Sequence, residues 1–277
     1  MLKFQLFRFQ VYPPTQGLLL EQQNSPHEIL KAVVHSVPSA ELRKGITWHI
    51  GNISDIDNNG LYFRIGKTTK STLEVYEHGN FADAQFETAP YTHIILDIPL
   101  EICAIAEKPK LAPKTKGIAN QLVQLLNESD FNKKHYEAKF AIGEINDPED
   151  FISFLRKAYA IYKFWITFTK PNTFDANEDF YKPMAKLLKE AEGEKGKTEL
   201  EGVNLNPAGL EDLARTAAST GNDASSLLQL EKGKHKIRKH LKNNAVLIPW
   251  ESIIESDQRK ELLSRIRKLY ENIRKKE

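Results

Sequence analysis

Cysteine is almost missing from this chain: Cys103 stands alone. A single cysteine excludes an internal disulfide framework and fits a reducing compartment. It lies in the apolar run Glu101-Ile-Cys-Ala-Ile-Ala106, where a small buried filler is expected rather than a nucleophile. Long hydrophobic runs are missing too, and nothing approaches the roughly 18 apolar residues of a membrane span. The first ten residues, Met1-Leu-Lys-Phe-Gln-Leu-Phe-Arg-Phe-Gln10, alternate polar and apolar side chains, whereas a secretory signal needs an unbroken apolar centre. A cytoplasmic protein is expected, in which the Asn-x-Ser sequences at Asn52 and Asn127 carry no glycan. The eight histidines show no metal-ligand spacing, and no serine sits in a Gly-x-Ser-x-Gly elbow. No catalytic residue, metal site or cofactor is therefore expected, and no internal repeat is found.

What is present suits a globular protein. The 277 residues are 40% hydrophobic and 27% charged, enough to bury the core of one large or two medium domains. The net charge is only +2, but it is unevenly placed. Residues 232–277 hold fourteen Lys/Arg against six Asp/Glu, or +8, which leaves −6 on the other 231.

The first 107 residues read mostly as strands. Residues 3–12 form one, stopped by Pro13 and Pro14. Ser25-Pro26-His27-Glu28 opens a helix, with Ser as the cap and Glu reaching back to it. Gly45–Ser54 and Leu61–Gly66 flank Asp57-Asn-Asn-Gly60, a hairpin turn. Further short strands are expected at Leu73–Tyr76, around Phe86, at Tyr91–Leu96 and at Ile102–Ala106. The Lys- and Pro-rich stretch Glu107–Gly117 reads as a surface loop near a domain border, before a helix carrying Ile118, Leu122, Val123 and Leu126.

From Lys134 on, strands and helices alternate. Strands are expected at His135–Ile142, Tyr162–Thr169, Thr198–Val203, Leu227–Glu231 and Val246–Ile248. Helices are expected from Asp147-Pro148, over Ala176–Ala191, over Pro207–Ala218, and over Ser252–Lys275 with a stripe of Ile253, Leu262, Ile266, Leu269 and Ile273. The aromatic, β-branched Tyr162–Thr169 is the expected central strand, with Pro171-Asn172 breaking it. The fold class is α+β: a mostly β N-terminal half and an alternating β/α C-terminal half closed by an amphipathic helix, divided as residues 1–112 and 113–277.

Several motifs invite chemistry. Gly66-Lys67-Thr68 suggests a phosphate loop, but the required earlier glycine falls on Leu61 and no helix follows, so an exposed hairpin tip is expected. Asp55-Ile-Asp57-Asn58-Asn59-Gly60 begins like a calcium loop, but Gly66 stands where the bidentate acid should be. Glu137-Ala-Lys139, with Asp130 upstream, resembles half of a Mg²⁺-dependent nuclease site.

The basic end is the strongest signal. Lys232, Lys234, His235, Lys236, Arg238, Lys239, His240 and Lys242 fall within eleven residues. Clustered Lys and Arg neutralise phosphates and release counterions, so nucleic acid is the natural partner. The loop Lys108, Lys110, Lys114, Lys116 could extend this patch, and the closing helix could dock on a second subunit or another protein.

Three stretches, taken in order, resemble the RexA-type phage exclusion proteins. They are Trp48-His-Ile-Gly-Asn-Ile with Asn59-Gly-Leu-Tyr-Phe-Arg-Ile-Gly-Lys-Thr68, Trp165-Ile-Thr-Phe-Thr-Lys-Pro-Asn172, and Leu227-Leu-Gln-Leu-Glu-Lys-Gly-Lys234 followed by Ala245-Val-Leu-Ile-Pro249. The likeness is one of element order and carries over no functional residue. It implies a DNA-binding sensor or regulator in phage exclusion or abortive infection, without catalysis of its own. The expectation is a nucleic-acid-binding protein, with DNA favoured. A Mg²⁺-dependent nuclease effector and a protein-interaction scaffold are the alternatives.

Overall fold

Short stretches of β-branched and aromatic residues, punctuated by Gly, Pro, Asn and Asp, produce a strand-rich chain. The computed structural model describes residues 1–14, 24–169, 181–191, 193, 195–251 and 255–275, with 31% helix and 42% strand. The protein is α+β, with a large antiparallel sheet in its N-terminal half and a C-terminal helix. In chain order the elements begin β1 (Leu2–Tyr12), α1 (Pro26–His35), β2 (Ser39–Arg43), β3 (Ile46–Asp55), β4 (Gly60–Glu77), β5 (Asn80–Thr88), β6 (Tyr91–Asp97) and β7 (Ile102–Ala106). Next come α2 (Thr115–Glu128), α3 (Asp130–His135), β8 (Lys139–Glu144), α4 (Glu149–Lys157) and β9 (Ala160–Thr169). The chain ends with α5 (Tyr181–Glu190), β10 (Lys195–Glu201), α6 (Pro207–Ser219), β11 (Ala224–Gln229), β12 (Ile237–His240), β13 (Leu247–Trp250) and α7 (Ser256–Arg274). No helix among the described residues is long and apolar enough to cross a membrane.

Contacts divide the chain into two compact units, and no single cut at residue 112 separates them. The first comprises Met1–Gln5, Phe9–Ile142 and Pro249–Leu263, and the second Leu6–Arg8, Gly143–Ile248 and Ser264–Glu277. Helices α2 and α3 thus belong to the first unit, because the apolar face Ile118, Leu122, Leu125 and Leu126 is buried there. Strand β1 contributes to both units.

In the first unit the sheet runs β1-β7-β6-β4-β3-β2, with β5 added to β4. The capping box at α1 forms as expected: Ser25 Oγ accepts the Glu28 N–H at 3.2 Å and Glu28 accepts the Ser25 N–H at 2.7 Å. The Asp57–Gly60 turn also forms, joining β3 to β4. Strands expected separately at Leu61–Gly66 and Leu73–Tyr76 are one 18-residue strand. No breaker interrupts Lys67-Thr-Thr-Lys-Ser-Thr72; those residues read as a gap only because they are polar. Beyond Thr69, β4 and β5 pair as a two-stranded ribbon down to the His78-Gly79 tip. Gly66 is therefore no hairpin tip but lies mid-strand, where a Cβ would stand 2.7 Å from the Pro90 carbonyl oxygen. Cys103 is fully buried, and burial pushes its thiol up, as an inert filler should behave.

In the second unit the sheet order is β10-β9-β11-β12, all antiparallel, with β9 central as expected. Phe164 and Ile166 are wholly buried and Phe168 nearly so, while Lys163, Trp165, Thr167 and Thr169 face the other way, half-buried. The helices cover the apolar face. Phe151 of α4 lies 6.2 Å from the Phe164 ring, and α5 and α6 pack on β9. Gly196 makes room for Phe168, whose ring would stand 2.3 Å from any added Cβ. The strand expected from His135 begins only at Lys139, because Asp130–His135 forms a helix capped by Ser129. The Pro171-Asn172 break, the helix start at Ala176 and Ile253 lie outside the described residues. The α7 stripe is Leu262, Leu263, Ile266, Tyr270 and Ile273, all buried in the chain itself. Of the stripe expected from the sequence, Leu262, Ile266 and Ile273 are thus buried and Leu269 is half-buried.

Helices α4 and α6 are clamped by ion pairs. Arg156 grips Glu211 with both Nε (3.0 Å) and Nη2 (2.5 Å), and Arg215 bridges Glu149 (2.6 Å) and Glu211 (3.2 Å). The Arg156 hydrogen bonds, opposed by burial and helped by Arg215, hold the Glu211 carboxyl below its usual range. Its stabilisation is present above the ordinary glutamate range and is lost as pH falls through the folded value. We expect Glu211→Gln to cost about 1–3 kcal/mol in urea unfolding at neutral pH, because it removes the buried carboxylate shared by Arg156 and Arg215 and leaves buried Arg215 only the exposed Glu149. The variant should also flatten the acid limb of stability; a loss below about 0.5 kcal/mol would show the clamp to be superfluous.

Candidate nucleic-acid interface

Alternation along β9 forces an ionic and aromatic face opposite the core. Register decides which side chains share it. Glu199, Trp165, Ser225 and His240 lie in one row across the sheet, and Glu201, Lys163, Leu227 and Arg238 in the next. Lys197 and Lys195 stand beside Thr167 and Thr169. Lys195, Lys197, Arg238 and His240 are exposed, and Trp165 and Lys163 are half-buried among them.

The Trp165 ring is the centre of this face. The Arg238 guanidinium carbon lies 4.2 Å from its centroid and Lys197 Nζ 5.7 Å, both within cation–π range. Arg238 Nη2 also donates to Ser225 Oγ at 3.1 Å, which fixes the guanidinium on the sheet. Lys163 Nζ donates to Glu199 (2.8 Å) and Glu201 (3.0 Å). These bonds push the Lys163 ammonium up, and they and a bond from Trp165 hold Glu199 down. The two carboxylates are thus tied to Lys163, while Lys195, Lys197, Arg238 and His240 face solvent beside them.

The β11–β12 turn is tethered to the same sheet. Tyr162 Oη donates to Gln229 Oε1 at 2.9 Å, and Gln229 Nε2 donates to the Lys234 carbonyl at 2.5 Å. Gly233, at φ +80°, supplies the left-handed residue the turn requires. Lys236 Nζ lies 3.7 Å above the Tyr162 ring.

The basic run expected from the sequence is therefore divided. Lys236 and Arg238 are exposed and lie against the Tyr162 and Trp165 rings, and Lys232, Lys234 and His235 are exposed in the turn. Lys239 is turned the other way, with Nζ 3.8 Å above Phe154 of α4, because neighbouring strand residues point to opposite faces. Lys242 is neutralised by Asp223 at 3.0 Å. Both drop out of the free positive face. Lys163, Trp165, Lys195 and Lys197 were missed by sequence reasoning. The period-2 patterns Lys163-Phe-Trp-Ile-Thr and Lys195-Gly-Lys-Thr-Glu held the signal, but only the strand register joins them.

The nuclease constellation does not assemble. Glu137 is exposed at φ +49°, off the strand, while Lys139 opens β8. No group of three or more His, Cys, Asp or Glu among the described residues could hold a metal ion. The Lys108–Lys116 loop belongs to the first unit and the basic run to the second.

Trp48 and Trp250 are buried, so Trp165 is the indole that a dissolved quencher reaches most readily. Iodide should quench it more efficiently than caesium at equal ionic strength, because the surrounding cations attract the anion. Combining Lys197→Gln with Arg238→Gln should remove that preference while leaving quenching by neutral acrylamide no weaker. Equal quenching by the two ions in the native protein would contradict a positive face. No protein-family profile matches this chain, and no curated protein matches it.

Proposed function

We propose that the protein binds nucleic acid through the open face of the β10-β9-β11-β12 sheet, without performing chemistry on it. The observation that carries this reading is the Trp165 ring within cation–π range of both Arg238 and Lys197, on a sheet whose β11–β12 turn carries the exposed Lys234 and Lys236. Backbone phosphates need clustered cations, and unpaired bases need a flat aromatic or guanidinium surface. A sheet with its helices on the far side offers both together. An unpaired strand therefore suits this face better than a closed duplex, whose bases are stacked inside. DNA is favoured over RNA by the resemblance to RexA-type exclusion proteins, and a sensor or regulator in anti-phage defence is the corresponding role. The position of Glu137, off the strand that Lys139 opens, favours this reading over the nuclease alternative, and the burial of Leu262, Ile266 and Ile273 favours it over a scaffold that docks through α7.

Fluorescence anisotropy with labelled single-stranded and duplex oligonucleotides tests the reading. Affinity should fall steeply with salt. Replacing Lys234, Lys236 and Arg238 with Gln should lower the log–log salt slope by about 2, given roughly 0.7 per phosphate contact on a single strand. Lys239→Gln alone should leave the slope unchanged, since that ammonium sits on Phe154. Trp165→Leu should weaken single-strand binding by about 1–3 kcal/mol with little effect on the salt slope. Unchanged affinity in the triple variant would remove the sheet face from the proposal.

A further inference from the structure

Two features set aside by the functional reading come together in the first unit. Lys67, from the Gly66-Lys67-Thr68 sequence, and Lys108 and Lys110, from the Pro-rich loop, line one cleft of about 760 Å³. Its floor is one face of β4, where Lys67, Thr69, Ser71 and Leu73 follow each other at every second position. The β5–β6 connection Ala89-Pro90, with Thr88 and Tyr91 on either side of it, forms another wall. Among the described residues no carboxylate lines it.

We propose that this cleft binds an anion carrying more than one phosphate group, of nucleotide size. Three lysines line one cleft, and among the described residues no ion pair to a carboxylate offsets their charge. Lys67 is half-buried, and its Nζ donates to the Leu111 carbonyl at 3.3 Å, which leaves donors for a ligand. The hydroxyls of the lining are engaged within it: Ser71 Oγ and Thr88 Oγ1 share a hydrogen bond at 3.0 Å, and Thr88 Oγ1 donates to the Thr69 carbonyl at 3.3 Å, so the lysines are the charged donors that a ligand would meet. His93, beside Tyr91 of the lining, is pushed down to about 4 by burial and then by Arg64, Lys108 and Arg259, of which Lys108 lines the cleft. Lysine ammoniums act as point charges around tetrahedral oxyanions, whereas a planar carboxylate is better met by an arginine fork, and among the described residues no arginine lines the cleft. The volume lies within the range of sites that enclose whole small molecules, so it exceeds what a single phosphate fills. Recognition here differs from a phosphate loop: side chains on a strand supply the donors, with no glycine loop and no helix N-terminus.

Isothermal titration calorimetry on the full chain, at matched ionic strength, provides the test with sodium tripolyphosphate, ATP and sodium phosphate. Saturable one-to-one binding of tripolyphosphate or ATP, tighter than that of phosphate, is expected. ATP tighter than tripolyphosphate identifies a nucleotide as the source; equal affinities identify the phosphate chain alone. Combining Lys108→Gln with Lys110→Gln should weaken binding about tenfold or more, as should Lys67→Gln. If Lys67→Gln fails to fold by circular dichroism, the loop pair decides the matter. The Lys234→Gln, Lys236→Gln pair on the other unit should bind the anion as the native chain does, even if nucleic-acid binding proves absent. No saturable binding below about 1 mM, or binding untouched by the loop substitutions, overturns the proposal.

Discussion

Strand β9 has to satisfy two environments at once, and most of the second unit follows from that. Its backbone sends Phe164, Ile166 and Phe168 one way and Lys163, Trp165, Thr167 and Thr169 the other. Burying the three apolar side chains is worth several kcal/mol, so helices α4, α5 and α6 must gather on that side. The opposite face is then left to side chains that tolerate water. It can be charged without cost to the core, and β10 and β12 bring further cations to it.

The same alternation explains why a basic run is only partly a basic surface. Lys239 and Arg238 are neighbours in sequence but lie on opposite faces of β12, one on Phe154 and the other on Trp165. A count of lysines cannot separate them. Burial and ion pairing sort the rest, as Lys242 with Asp223 illustrates. In the first unit, side chains at every second position of β4 put Lys67 in line with hydroxyls, and a distant loop brings two more lysines to it.

Much of the local structure was legible in the residues. The Ser25 capping box, the Asp57–Gly60 turn, the central aromatic strand and the buried role of Cys103 each depend on interactions within a few residues. The misreadings have separate causes. Thr68–Thr72 looked like a gap because its side chains are polar, although β-branched residues suit an exposed ribbon. His135–Glu137 looked like strand, although the Ser129 cap starts a short helix through His135 and leaves Glu137 in a left-handed turn.

The chain by itself determined which stretches become strands or helices, where turns fall, and that positive charge collects late in the sequence. Those properties follow from steric preference, hydrophobic period and simple counting. Tertiary structure alone decided that β10 and β12 lie on either side of the β9–β11 pair, that Trp165 lies within cation–π range of both Arg238 and Lys197, and that Lys67 meets Lys108 and Lys110. Such meetings depend on strand register and chain return over tens of residues, and a one-residue slip in register would send each of these side chains to the other face.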